Sequence, residues 1–74
     1  MTPLERRAAM KAAATLRQIT MNQAAREMGV SYNHLTLVLL GNRQGSVRLE
    51  EAVAAFFGRP RHEVFPPGEF LPGK

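Results

Sequence analysis

The sequence contains no cysteine. Neither a disulfide framework nor a thiolate metal site is therefore available, which fits a reducing cytoplasm. No apolar run approaches the roughly 18 to 20 residues needed to span a bilayer, and the first residues lack the apolar stretch and cleavage site of a secretory signal. A soluble, cytoplasmic protein that does not engage a membrane is the expectation. Histidine is scarce. His34 and His62 are the only side chains available as bases near neutral pH, and no spacing matches a metal site, a phosphate-binding glycine loop or a nucleophile with its base. The chain is accordingly read as a non-enzyme with no metal, no cofactor and no small-molecule ligand. The single tyrosine, Tyr32, makes no stacking platform, so single-stranded nucleic acid is a poor fit. There is no internal repeat and no low-complexity tract.

What is present is a short, basic, helix-forming chain. Its 74 residues make one domain with a single small core. Ten Lys and Arg stand against six Asp and Glu, for a net charge of +4, which favours a polyanionic partner without naming it. The punctuation predicts five helices and no strand, an all-α fold. Thr2-Pro3-Leu4-Glu5 is a capping box with proline at the first helical position, where its missing N–H costs nothing. Leu4, Ala8, Ala12, Leu16 and Ile19 would form the apolar stripe of this first helix, leaving Glu5, Arg6, Arg7, Lys11 and Arg17 on a wet face. Thr20-Met21-Asn22-Gln23 repeats the capping pattern for a second helix ended by Gly29, and Ser31 opens a third ended by Gly41. Ser46 caps a fourth, ended by Gly58, and a short fifth covers about residues 61 to 65. The domain is placed at 1–65. Residues 66–74, with three prolines and two glycines, read as an irregular tail.

The most informative stretch is 21–40. Ala25 is small where the second and third helices would cross, Gly29 can take the positive φ of a sharp helix end, and Val30 follows as an apolar plug. Beyond the Ser31 cap, Leu35, Val38 and Leu39 fall at i, i+3 and i+4 and would bury one side, leaving Tyr32, Asn33, Thr36 and Leu37 on another. Two short helices in this layout suit presentation of the second to the major groove of DNA.

These features resemble the Cro/cI-type helix-turn-helix family of phage repressors and bacterial regulators, also called the XRE or lambda-repressor-like family. The resemblance runs over residues 21 to 65. It rests on Ala25, Gly29 and Val30 in the turn, Leu35 and Val38 in the third helix, Gly41-Asn42-Arg43 as a glycine-basic loop, Val53-Ala54-Ala55-Phe56-Phe57-Gly58 as a fourth-helix ending, and Glu63-Val64-Phe65-Pro66 as a closing turn. Leu37 and Leu40 are apolar where the family usually has polar residues, and Leu39 stands where it often has Glu.

The resemblance implies sequence-specific binding of double-stranded DNA by a transcriptional regulator of the repressor type, acting as a homodimer on an inverted repeat. The third helix would lie in the major groove, with Tyr32, Asn33, Thr36 and Leu37 toward the bases. Asn33 has the donor and acceptor for a bidentate contact to adenine, and Thr36 can hydrogen-bond a base or touch a thymine methyl. Phosphate contacts would fall to Thr20, Asn22 and Gln23 at the start of the second helix, to Ser31 and His34, and to Asn42 and Arg43 in the following loop. Each has a plainer alternative: Thr20 and Gln23 could only cap one another, and Arg43 could be a solvated loop charge. The cations of the first helix could be a wet face or could reach flanking DNA. Consecutive Phe56 and Phe57 cannot both point into so small a core. Periodicity offers Leu49, Ala52, Val53 and Phe56 as one stripe, whereas the resemblance places Val53 and Phe57 inside and leaves Phe56 to pack on Phe70 and Leu71 or on a second protomer. The competing reading is a protein-interaction module, antitoxin-like or an accessory subunit, for which exposed Leu37, Leu40 and Phe56 would be better suited than for a phosphate-rich surface.

Overall fold

Each of the first four helices begins on a side-chain hydroxyl. Thr2, Thr20, Ser31 and Ser46 accept from the backbone N–H groups of Glu5, Gln23, His34 and Leu49, three residues ahead, at 3.1–3.2 Å. For Thr2 and Thr20 the arrangement is reciprocal, because their own N–H groups donate to Glu5 Oε1 and Gln23 Oε1, both at 2.8 Å. The computed structural model describes residues 1–67, which form α1 (Pro3–Leu16), α2 (Met21–Glu27), α3 (Tyr32–Leu39), α4 (Val47–Phe57) and α5 (Arg61–Val64), with no strand among them. The all-α, five-helix expectation is met. Phe70 and Leu71 lie outside the described residues, as does most of the tail placed at 66–74.

The helix ends share one closure. After α1, α2, α3 and α4 the chain turns back through a left-handed residue, and the next N–H donates to a carbonyl five residues earlier: Ile19 to Ala14, Val30 to Ala25, Asn42 to Leu37 and Arg59 to Ala54, at 2.9–3.1 Å. Three of the left-handed positions are glycine. The fourth is Gln18 at φ 59°, so α1 stops at Leu16 and Ile19 belongs to the connection, not to a helical stripe. Gly29, at φ 77°, fits its place for backbone reasons alone, since a Cβ added there would meet nothing within 4 Å.

The core draws on every helix: Met10 and Ala14 of α1, Ala24 and Ala25 of α2, Leu35, Val38 and Leu39 of α3, Leu49, Val53 and Ala54 of α4, and Val64 of α5. Each fully buried Met, Leu or Val contributes about 1.5–3 kcal/mol relative to exposure. α1 is the hub, touching α2, α3 and α4, while α2 packs on α3 and α5 closes on α4.

The buried face of α1 is not the one its apolar residues suggest. Arg6, Met10 and Ala14 face inward, whereas Leu4 is 74 % and Leu16 85 % exposed, and Ala8 and Ala12 are exposed as well. The expected stripe is thus wrong, and so is the wet position given to Arg6. The cause is long-range satisfaction of the guanidinium. Arg6 Nε donates to Leu39 O at 2.8 Å, and Nη1 donates to Val64 O at 2.9 Å and to Met1 O at 3.0 Å, with the group 4.8 Å from the Phe65 ring centroid. Leu39 and Val64 are the last residues of α3 and α5. One buried cation therefore meets the negative ends of two helices and supplies donors to carbonyls that helix geometry leaves unpaired.

Phe56 and Phe57 are both half-buried against the core, not divided between inside and outside. Phe56 has a partner within the chain: the Arg17 guanidinium lies 3.7 Å from its ring centroid, and Arg17 Nη2 donates to Phe56 O at 3.0 Å. Beside it, Ala12, Ala13, Leu16 and Phe57 line an open groove of about 360 Å³ between α1 and α4.

Candidate nucleic-acid interface

The sequence of α3 determines which face it shows. Leu35, Val38 and Leu39 are buried, and the opposite side carries Tyr32, 40 % exposed, and Asn33, also exposed, in the first turn. The Asn33 side chain makes no hydrogen bond within the described residues, so its amide keeps both donor and acceptor for a partner. Leu37 and Leu40 are half-buried. Thr36 is half-buried with its Oγ1 enclosed and without a hydrogen-bond partner. In the free protein this hydroxyl is therefore not presented to solvent.

The residues expected at phosphates separate into two groups. Thr20, Gln23 and Ser31 accept through their side-chain oxygens at the caps already described, which leaves the two hydroxyl O–H groups and the Gln23 NH2 as the donors they could offer a phosphate. Asn22 and Asn42 are exposed, and the Asn42 N–H closes α3 by donating to Leu37 O at 2.9 Å. His34 and Arg43 are brought together: Arg43 Nη1 stands 3.3 Å from His34 Nδ1, which places a loop cation beside the exposed flank of α3. The loop that holds Arg43 is fixed at both ends, by the Asn42 bond and by Gly45. A Cβ on Gly45 would come within 2.9 Å of Val38 Cγ1. Nothing in the sequence marks Gly45, and only its close approach to α3 reveals its role.

Charge is distributed to match. No acidic residue stands between Met28 and Leu49, a stretch that holds all of α3 and the Arg43 loop. On α4 and α5, Glu50 Oε1 accepts from Arg61 Nε at 2.9 Å and Glu63 lies 3.7 Å from Arg59, while Glu27 and Glu51 are exposed. Glu5 is held below the ordinary carboxylate range by the Thr2 backbone N–H and then the Thr2 hydroxyl. Among the described residues no group of His, Asp and Glu could hold a metal ion, and no helix is long and apolar enough to cross a membrane.

No protein-family model matches the chain, and no curated protein and no solved structure matches it.

Proposed function

We propose that the protein binds double-stranded DNA sequence-specifically, with α2, the Gly29 turn and α3 acting as a lambda-repressor-like helix-turn-helix and α3 entering the major groove. One observation carries the reading. The first turn of α3 exposes an unpartnered amide, Asn33, beside the Arg43–His34 pair, on a stretch without acidic residues. An amide at that place can read adenine, and a cation beside it can hold the adjacent phosphate. Tyr32 adds a polar and aromatic edge, while Thr36 and Leu37 supply apolar contact. The protein acts as a transcriptional regulator of the repressor type. The groove flanked by Leu16 and Phe57 offers apolar surface for a symmetric homodimer, which would place two recognition helices about 34 Å apart on an inverted repeat.

Selection of bound duplexes from a random pool tests this. Recovery of an inverted repeat with half-sites one helical turn apart is the expected result, and recovery of no enriched sequence contradicts it. A second reading, a protein-binding module built on the same helices, is favoured by the exposure of Leu4 and Leu16. Salt separates the two. DNA binding through phosphates weakens steeply as salt rises, and docking through an apolar face does not.

A further inference from the structure

The three cations of α1, Arg6, Arg7 and Lys11, and Arg17 at its C-cap meet three different fates in the fold. Arg6 is buried and bonded to carbonyls, and Arg17 is stacked on Phe56. Arg7 and Lys11 remain, both exposed and with side chains that make no hydrogen bond or ion pair in the described residues. One turn apart, they sit about 6 Å from each other along the helix axis. They do not face empty solvent at random. Together with Leu4 and Ala8 of α1 they line a cleft of about 310 Å³ whose far wall is Met21, the first residue of α2, and Tyr32, the first residue of α3. No acidic side chain lines it.

The cleft is amphipathic in a specific way. Leu4, Ala8, Met21 and Tyr32 supply its carbon lining, and its cationic groups come from α1. A nucleic-acid strand has the same alternation, with apolar sugar faces between phosphates. The cleft also opens at the starts of α2 and α3, the end of the fold that carries Asn33. We infer that Arg7 and Lys11 hold the sugar-phosphate strand flanking the base pairs read by α3, so that α1 extends the DNA footprint beyond the helix-turn-helix. The inference rests on the DNA-binding reading above. Tyr32 then has two neighbours at once: its edge faces the groove and its ring borders the flanking strand. The exposure of Leu4, unexplained by the fold, becomes cover for a sugar face.

The test is a salt titration of binding to a mixed-sequence duplex. Each phosphate contact contributes about 0.9 to the slope of log affinity against log salt, so Arg7→Gln with Lys11→Gln should flatten the slope by about 1.8 per protomer. Between about 50 and 200 mM salt the wild type should then lose roughly twelvefold more affinity per protomer than the double variant. Arg7→Lys with Lys11→Arg should keep the wild-type slope. Arg59→Gln with Arg61→Gln, an equal loss of charge on the α4–α5 side, should leave the slope nearly unchanged. Hydroxyl-radical protection should shrink at the flanks in the Gln variant only. Binding by the wild type with an unchanged slope in Arg7→Gln/Lys11→Gln would overturn the inference and leave the DNA reading standing. An equal flattening in the Arg59/Arg61 control would also overturn it, by showing a diffuse field instead of contact. Failure of the wild type to bind any duplex would remove both.

Discussion

Replacing Arg6 by methionine keeps a linear apolar stem of similar reach and deletes the donors to Leu39 O, Val64 O and Met1 O. The first two of these bonds are buried and the third partly so. An unmet buried carbonyl costs about 1–3 kcal/mol, and some of that is returned because a guanidinium no longer has to be desolvated. The favourable meeting of a cation with two helix C-termini is also lost, at about 0.3–1 kcal/mol each and more where partly buried. The net expectation is a loss of about 3–4 kcal/mol. Domains of this length hold about 4–11 kcal/mol in total, so the variant would sit near the edge of folding. Its melting temperature should fall by roughly 12–30 °C. Urea denaturation followed by circular dichroism measures the change, with Arg7→Met as the exposed neighbour whose side chain makes no hydrogen bond or ion pair in the described residues and should shift stability by less than about 0.5 kcal/mol. If Arg6→Met and Arg7→Met denature together, Arg6 does not tie α1 to the ends of α3 and α5, and the account of the core is wrong.

The remaining expectations concern backbone and pH. Gln18→Gly should stabilise the protein by about 0.5–1 kcal/mol, since it removes the left-handed strain of a side chain at φ 59° at some cost in unfolded-state entropy. Gly29→Val should do the reverse, costing about 1–3 kcal/mol through strain alone because no atom obstructs the new Cβ; thermal melts of the two variants should move in opposite directions. Glu5 titrates below its ordinary value when folded, so its contribution is present above about pH 4.3, the unfolded value, and is lost as pH falls through the folded value. The gap in melting temperature between wild type and Glu5→Gln should therefore exist at neutral pH and close on acidification, and a gap constant with pH would refute the cap assignment.

Local chemistry was legible in the sequence, and long-range chemistry was not. The four hydroxyl caps, the three glycine ends and the buried side of α3 could be read because each depends on residues within five positions of one another. The inner face of α1 could not. Its alanines satisfy several stripes equally well, and the residue that decides the matter is an arginine whose acceptors lie 33 and 58 residues away. A hydrophobicity pattern counts that residue as solvent-facing. The same blindness hid Gly45, whose contact is with Val38, and the partnership of Arg17 with Phe56. At the candidate interface, spacing identified α3 and its exposed first turn, but the enclosure of the Thr36 oxygen has no signature in the sequence.

The central claim is that α3 reads bases through Asn33 while Arg43 holds a phosphate. Titration of Asn33→Ala and Arg43→Ala against a selected duplex and a scrambled one, at several salt concentrations, tests it most directly. Asn33→Ala should lose about 1–3 kcal/mol on the selected duplex only, and Arg43→Ala should weaken both duplexes and flatten the salt slope by about one per binding site. Equal weakening of both duplexes by Asn33→Ala, or a change confined to sequence preference in Arg43→Ala, would contradict the proposed docking of α3.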